Sequence, residues 1–167
     1  MINKINKLPR SEFIKVFANI FENAGWIAKE LYNKKPFNNF EELSAKIINI
    51  FENATKEKQL KILNDHPDLA NKTRISPLSP DSLKEQNSAG LENCTEKEFN
   101  EFKKLNDSYK KFGFPFILAV KGKTKKEILD NFKKRISSNK ETEFHEAINQ
   151  VKQIAGLRLK ELSNKIF

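Results

Sequence analysis

The side chains able to do chemistry in this chain are few, and four places hold them in unusual surroundings. His66 stands directly before Pro67. Proline disfavours the helical conformation at the residue before it, so His66 falls at a helix end, where its ring can project into a cavity. One reading is a ring that contacts the last helical carbonyls. The other is a general acid or base, since imidazole titrates near neutrality. Arg158 lies seven residues after Val151 and fourteen after Phe144, on the apolar stripe of a helix. A guanidinium facing a core needs an anion, which an internal carboxylate or a bound ligand can supply, unless its stem alone is buried. Glu85 follows Ser82 at capping-box spacing, and Gln86 stands beside it, so the carboxylate either closes a helix end or serves a site. FGFPF at 112–116 sets irregular backbone in an apolar run, and its N–H and C=O groups must be met by protein or by ligand.

Other chemistries are excluded. Cys94 is the single cysteine and has no histidine beside it, which removes an internal disulfide and argues against a catalytic thiol. His145 falls on the polar flank of its helix. No HExxH, glycine-rich phosphate loop, CxxC or GxSxG occurs, and two histidines with one thiol cannot furnish a zinc-finger set. No metal site is expected.

These residues must be positioned by 167 residues, enough for one domain that buries roughly 70% of its unfolded surface. Apolar residues are 38%, charged residues 32% and phenylalanine alone occurs 14 times, a globular balance. No secretory leader or long uncharged apolar run is visible, which implies a soluble intracellular protein without membrane partners. The net charge is +9, from 31 Lys+Arg against 22 Asp+Glu. It invites a nucleic-acid reading, but four arginines among scattered lysines fit a solvated surface better, and a positive field also favours encounter with a small anion.

Periodicity predicts an all-α chain, a single-domain bundle of about seven helices. Phe13, Val16, Phe17, Ile20, Phe21, Ala24, Ala28 and Leu31 form one stripe, with Ser11 as N-cap. A second helix carries Phe40, Leu43, Ile47, Ile50 and Phe51; Thr55 caps a third that ends at Pro67. Residues 71–78 read as loop. Ser79 followed by Pro80 and Asp81, or Ser82 with Glu85, opens a fourth helix. Thr95 with Glu98 and Thr124 with Glu127 are capping boxes, Gly113 is a stop, and a last helix covers about 141–162. FPFILAV has strand propensity but no partner strand, so it reads as irregular core.

Several motifs together resemble one family. HPDLA at 66–70, SLKEQNSAGL at 82–91, LNDSYKKFGFPFILAVKG at 105–122 and QIAGLRLKEL at 153–162 look like the signature blocks of the 2-oxo-4-hydroxy-4-carboxy-5-ureidoimidazoline (OHCU) decarboxylases. WIAKELY at 26–32 and KKPFNNFEEL at 34–43 fit too, so the likeness runs in order through nearly the whole chain, 1–167 as one domain. It implies an all-helical, cofactor-free enzyme that acts after urate oxidase and hydroxyisourate hydrolase, releases carbon dioxide and sets the stereocentre of (S)-allantoin. It implies His66, Glu85 and Arg158 as catalytic residues. Substrate contacts would come from Pro67, from Ser82, Leu83, Lys84, Glu85 and Gln86, and from the backbone of Ile117, Leu118, Ala119, Val120 and Lys121. The partner implied is a small anionic intermediate, not nucleic acid, with a homodimer left open. ISPLSPD at 75–81 departs from the family pattern at the pocket rim, and Asn164-Lys165-Ile166-Phe167 lacks the Ser-Lys-Leu peroxisomal address, so a cytoplasmic setting is expected. A Lys-rich helical nucleic-acid module and a non-catalytic scaffold are the rival classes.

Overall fold

The structure is a computed structural model that describes residues 2–71 and 78–166. Among them every regular element is helical: α1 Ile2–Lys7, α2 Arg10–Phe17, α3 Gly25–Tyr32, α4 Phe40–Glu52, α5 Lys56–Asp65, α6 Pro80–Ser88, α7 Glu96–Tyr109, α8 Lys125–Ile136 and α9 Lys140–Ile166. Two single 3-10 turns lie at Leu91–Asn93 and Lys110–Phe112. Most of the loop expected at 71–78, and with it ISP of the departing segment, lies outside the described residues.

The helix starts follow local chemistry. Ser79 Oγ accepts from the Ser82 N–H at 3.1 Å with Pro80 at the first helical position, which decides between the two expected caps. Thr95 with Glu98 and Thr124 with Glu127 both form reciprocal capping boxes. Asn39 accepts from the Glu42 N–H at 2.7 Å, and Thr55 accepts from Lys58 at 3.3 Å. Gly113, at φ 85, ends the turn after α7, since glycine enters the left-handed region without a Cβ penalty.

The stripe at 13–31 is not one helix, as its spacing predicted, and Ser11 is not its cap: α2 starts at Arg10 after Pro9. Residues 18–24 are a link in which Asn23 takes φ 49, a conformation that asparagine tolerates better than most side chains. Ile20, Phe21 and Ala24 stay buried in that link, so the apolar spacing continues where the helix does not. With α1 added at the N-terminal side, nine α-helices stand among the described residues, where about seven were expected.

The chain divides into two compact units, Met1–Ile62 with Lys152–Phe167, and Leu63–Val151. In the first, α2, α3 and α4 pack in sequence around Phe13, Leu31, Leu43, Ile47 and Phe51. Asn6 pins the Phe37 backbone from both sides, donating to its carbonyl at 2.8 Å and accepting from its N–H at 2.9 Å. In the second, Phe116 stacks on Phe132 at 3.8 Å with Tyr109 edge-on to both.

Candidate active site

His66 lies just past the end of α5, its N–H donating to the Leu63 carbonyl at 3.2 Å, with Pro67 barring another turn. The residue is 9% exposed. The three residues that follow Pro67 are each held by a buried amide. Gln86 Nε2 donates to the Asp68 carbonyl and Gln86 Oε1 accepts from the Ala70 N–H, both at 3.3 Å. Asn106 Nδ2 donates to the Leu69 carbonyl at 2.9 Å. Ala70 sits at φ 52, a conformation that costs an L-residue roughly 1–2 kcal/mol, so these bonds hold the loop where local preference would not. Among the described residues Asn106 Oδ1, a buried acceptor, has no hydrogen-bond partner. Burial pushes the half-buried Asp68 carboxyl above the usual aspartate range, against the pull of Lys110 and with a push from Asp107.

On α6, Ser82 and Gln86 are four residues apart and both buried. Glu85 is half-buried, while Leu83 and Lys84 are exposed, so their side chains lie off that buried face. The stretch 117–120 is buried and without regular structure, and Lys121 is exposed. The Ala119 N–H donates to Gln150 Oε1 at 2.9 Å, and Gln150 is oriented by its own donation to Glu146 at 2.7 Å. That N–H is therefore engaged by the protein, which narrows the backbone donors left for a ligand. The Ile117 carbonyl accepts from Arg135 Nη1 at 2.6 Å. The guanidinium also bonds Glu143 Oε2 through Nε at 3.1 Å and Nη2 at 3.0 Å, and it lies 4.5 Å over the Phe116 ring. The Tyr109 hydroxyl donates to the same Glu143 carboxylate.

Arg158 belongs to the first unit and is 8% exposed. Both terminal nitrogens donate to Glu22 Oε2 at 3.1 Å, and Nη1 reaches the Asn19 carbonyl at 3.1 Å. The link between α2 and α3 thus supplies an internal anion for this position, one of the readings that the sequence left open.

A profile of the OHCU decarboxylase family matches residues 6–160. This chain belongs to the OHCU decarboxylase family. The OHCU decarboxylase of Halalkalicoccus jeotgali is 35% identical over 163 residues, covering 97% of this chain and 91% of that protein. A uric acid degradation bifunctional protein of Bacillus sp. (strain TB-90) is 39% identical over 162 residues; the match takes 96% of this chain and 32% of that protein. This chain thus spans about a third of the Bacillus relative's length, the 32% just given. Among solved structures, (S)-allantoin synthase superposes at TM-score 0.78 with 27% identity, covering 97% of this chain and 54% of that one. An OHCU decarboxylase crystallised in the presence of (S)-allantoin has TM-score 0.71, 24% identity and coverage of 87% and 95%, a likeness of fold.

Within this family frame, Gln86 does more than the sequence suggested, because its amide is already committed on both sides to the His66 loop. Asn106, Glu22, Arg135, Glu143 and Gln150 were not singled out. A signal existed for three of them. Ile128, Phe132 and Arg135 share one helical face, as do Glu143, Ala147 and Gln150, and all six are buried. Among the described residues no three His, Cys, Asp or Glu side chains are gathered for a metal, and no helix is long and apolar enough to cross a membrane.

Proposed function

We propose that this protein decarboxylates 2-oxo-4-hydroxy-4-carboxy-5-ureidoimidazoline to (S)-allantoin and carbon dioxide, without a cofactor, as one catalytic domain over 1–167. The observation that carries this is a buried histidine, His66, on a loop held residue by residue by buried amides in a chain of this family. Breaking the bond to the carboxylate leaves an electron pair that the unsaturated ring accepts, so the substrate supplies its own electron sink. Charge that develops on the ring oxygen calls for fixed donors, and Arg158 with the backbone at Ile117–Lys121 are our candidates. A proton then reaches one face of the carbon that becomes the stereocentre. His66, with Glu85 as its partner, is the acid or base for these transfers. Ser82 and Gln86 orient the substrate's amide groups, beside Pro67 and the α6 backbone at Leu83 and Lys84. The substrate is a small anion, and the setting is cytoplasmic.

The rival nucleic-acid reading asks for lysines gathered in an uncompensated stripe. Lys46, Lys125 and Lys133 instead pair with Glu42, Glu98 and Glu101 at 2.6, 2.8 and 2.5 Å. The decisive test is a coupled assay from urate with the two upstream enzymes, following (S)-allantoin by circular dichroism. A faster rise with this protein, retained after dialysis against a strong chelator, supports the proposal. A rise no faster than the spontaneous decay overturns it.

A further inference from the structure

Arg135, Glu143 and Tyr109 form a polar cluster inside the second unit with no part in the chemistry described so far. All three are at most 8% exposed. Stability alone does not account for such a cluster. Burying a charge pair costs solvation that its mutual attraction barely repays, and well-packed apolar replacements are often neutral or stabilising. What distinguishes this cluster is a bond that leads out of it to the backbone, from Arg135 Nη1 to the Ile117 carbonyl at 2.6 Å.

That bond fixes a direction. A trans peptide is planar, with its C=O and the next residue's N–H antiparallel, so an Ile117 carbonyl aimed at Arg135 turns the Leu118 N–H the opposite way. The next peptide is fixed from its other end, since the Ala119 N–H aimed at Gln150 turns the Leu118 carbonyl away from Gln150. Two buried side chains therefore hold the peptides on either side of Leu118, and each presents a Leu118 polar group away from its anchor. The anchors are themselves oriented. Glu143 grips the guanidinium through two nitrogens, Tyr109 donates to that carboxylate, Phe116 covers the guanidinium face, and Glu146 sets the Gln150 amide. No regular hydrogen-bond ladder runs through 115–120, so nothing in the secondary structure does this work.

We infer that Arg135, held by Glu143 and Tyr109, is a positioning residue that aims the Leu118 N–H at the substrate. This rests on the proposed decarboxylase function, in which backbone donors at 117–121 meet developing charge. A donor aimed at charge that appears only in the transition state shows itself in kcat more than in KM. Lysine cannot replace the arginine, because one ammonium on a flexible stem cannot grip the carboxylate with two bonds and keep the fork geometry toward Ile117.

The test uses the full chain with Arg135→Lys and the double variant Arg135→Met with Glu143→Leu, which removes both charges together. Three quantities are read: the thermal midpoint, kcat and KM for the ureidoimidazoline, and the exchange rate of the Ala119 amide hydrogen in ligand-free protein. We expect kcat to fall about 100-fold with KM changed less than about threefold, in every variant whose midpoint stays within a few degrees of wild type. Ala119 should exchange at least about tenfold faster there although Gln150 is intact, because its neighbouring peptide has lost its anchor. A folded variant with wild-type kcat, or with an Ala119 amide protected as in wild type, overturns the inference. If Arg135→Lys and the double variant both fail to fold, the cluster is a stability element and the inference also falls. Wild-type protein without turnover sinks the decarboxylase reading instead, and the exchange measurement still decides whether Arg135 anchors the backbone.

Discussion

A histidine placed between a helix end and a proline has its backbone fixed from both sides, which leaves its ring as the variable part. His66→Asn should therefore keep the thermal midpoint and lower turnover by about 10²- to 10⁴-fold, the usual contribution of a general acid or base. A folded variant with near wild-type turnover would remove His66 from the mechanism. Asp68, two residues on, carries a pH dependence of its own. Burial raises its carboxyl above the ordinary value, so the folded state holds the proton more tightly than the unfolded chain does; the stability this brings is present below the unfolded pKa near 3.8 and is lost as pH rises through the folded value. Asp68→Asn should raise the midpoint at neutral pH, with a gain that shrinks to nothing below about pH 3.8, the ordinary value. A gain that persists unchanged in acid would mean that the effect is not protonation. For Arg158, the Glu22 pair sets the experiment. Arg158→Met alone takes the guanidinium from a buried carboxylate and should cost about 3–5 kcal/mol, whereas Arg158→Met with Glu22→Leu should recover most of that. If kcat/KM stays low in the recovered double variant, Arg158 serves the ligand as well as the fold; full activity there would return it to the scaffold alone.

The elements were legible where they are local. Ser79, Thr95 and Thr124 declare helix starts in their own few residues, and each cap forms. The break between α2 and α3 was not legible, because a buried link and a buried helix face both demand apolar residues at Ile20, Phe21 and Ala24. Only Asn23 and Gly25 mark it, and neither excludes a helix alone. The segment around His66 shows the same division. HPDLA and SLKEQ were visible as blocks, but the bonds joining them run from Gln86 and Asn106 to a backbone that no side-chain pattern describes. Arg135 was hidden differently: it closes the run Lys133-Lys134-Arg135 at the end of α8, where cations ordinarily complement the helix dipole, and only the spacing from Ile128 and Phe132 betrays its inward face. The Asn106 bond predicts its own cost. Asn106→Leu leaves the Leu69 carbonyl unpaired and should destabilise by about 1–3 kcal/mol, toward the lower end because the unpaired Oδ1 leaves with it. A chemical denaturation curve measures this, and no loss of stability would show that the loop holds itself.

For the whole molecule the +9 charge is a field rather than a site. It would act on the proposed anionic substrate through encounter, so rising salt should lower kcat/KM and leave kcat nearly constant. A kcat that falls in parallel would place the salt effect in the chemistry. One feature inside the second unit makes that interior visible from outside. Burial, and next its bond to Glu143, push the Tyr109 phenol well above its ordinary ionisation near pH 10.0, so at alkaline pH the neutral phenol contributes stability that is lost only as pH climbs toward the shifted value. The chain has two tyrosines, and phenolate has an ultraviolet absorbance that phenol lacks. After a jump to a pH above 10.0, the ordinary value, and short of the raised one, the absorbance of Tyr109 rises as the cluster around it opens. The phenol is thus a label-free optical clock for the opening of that interior, read without substrate, dye or isotope.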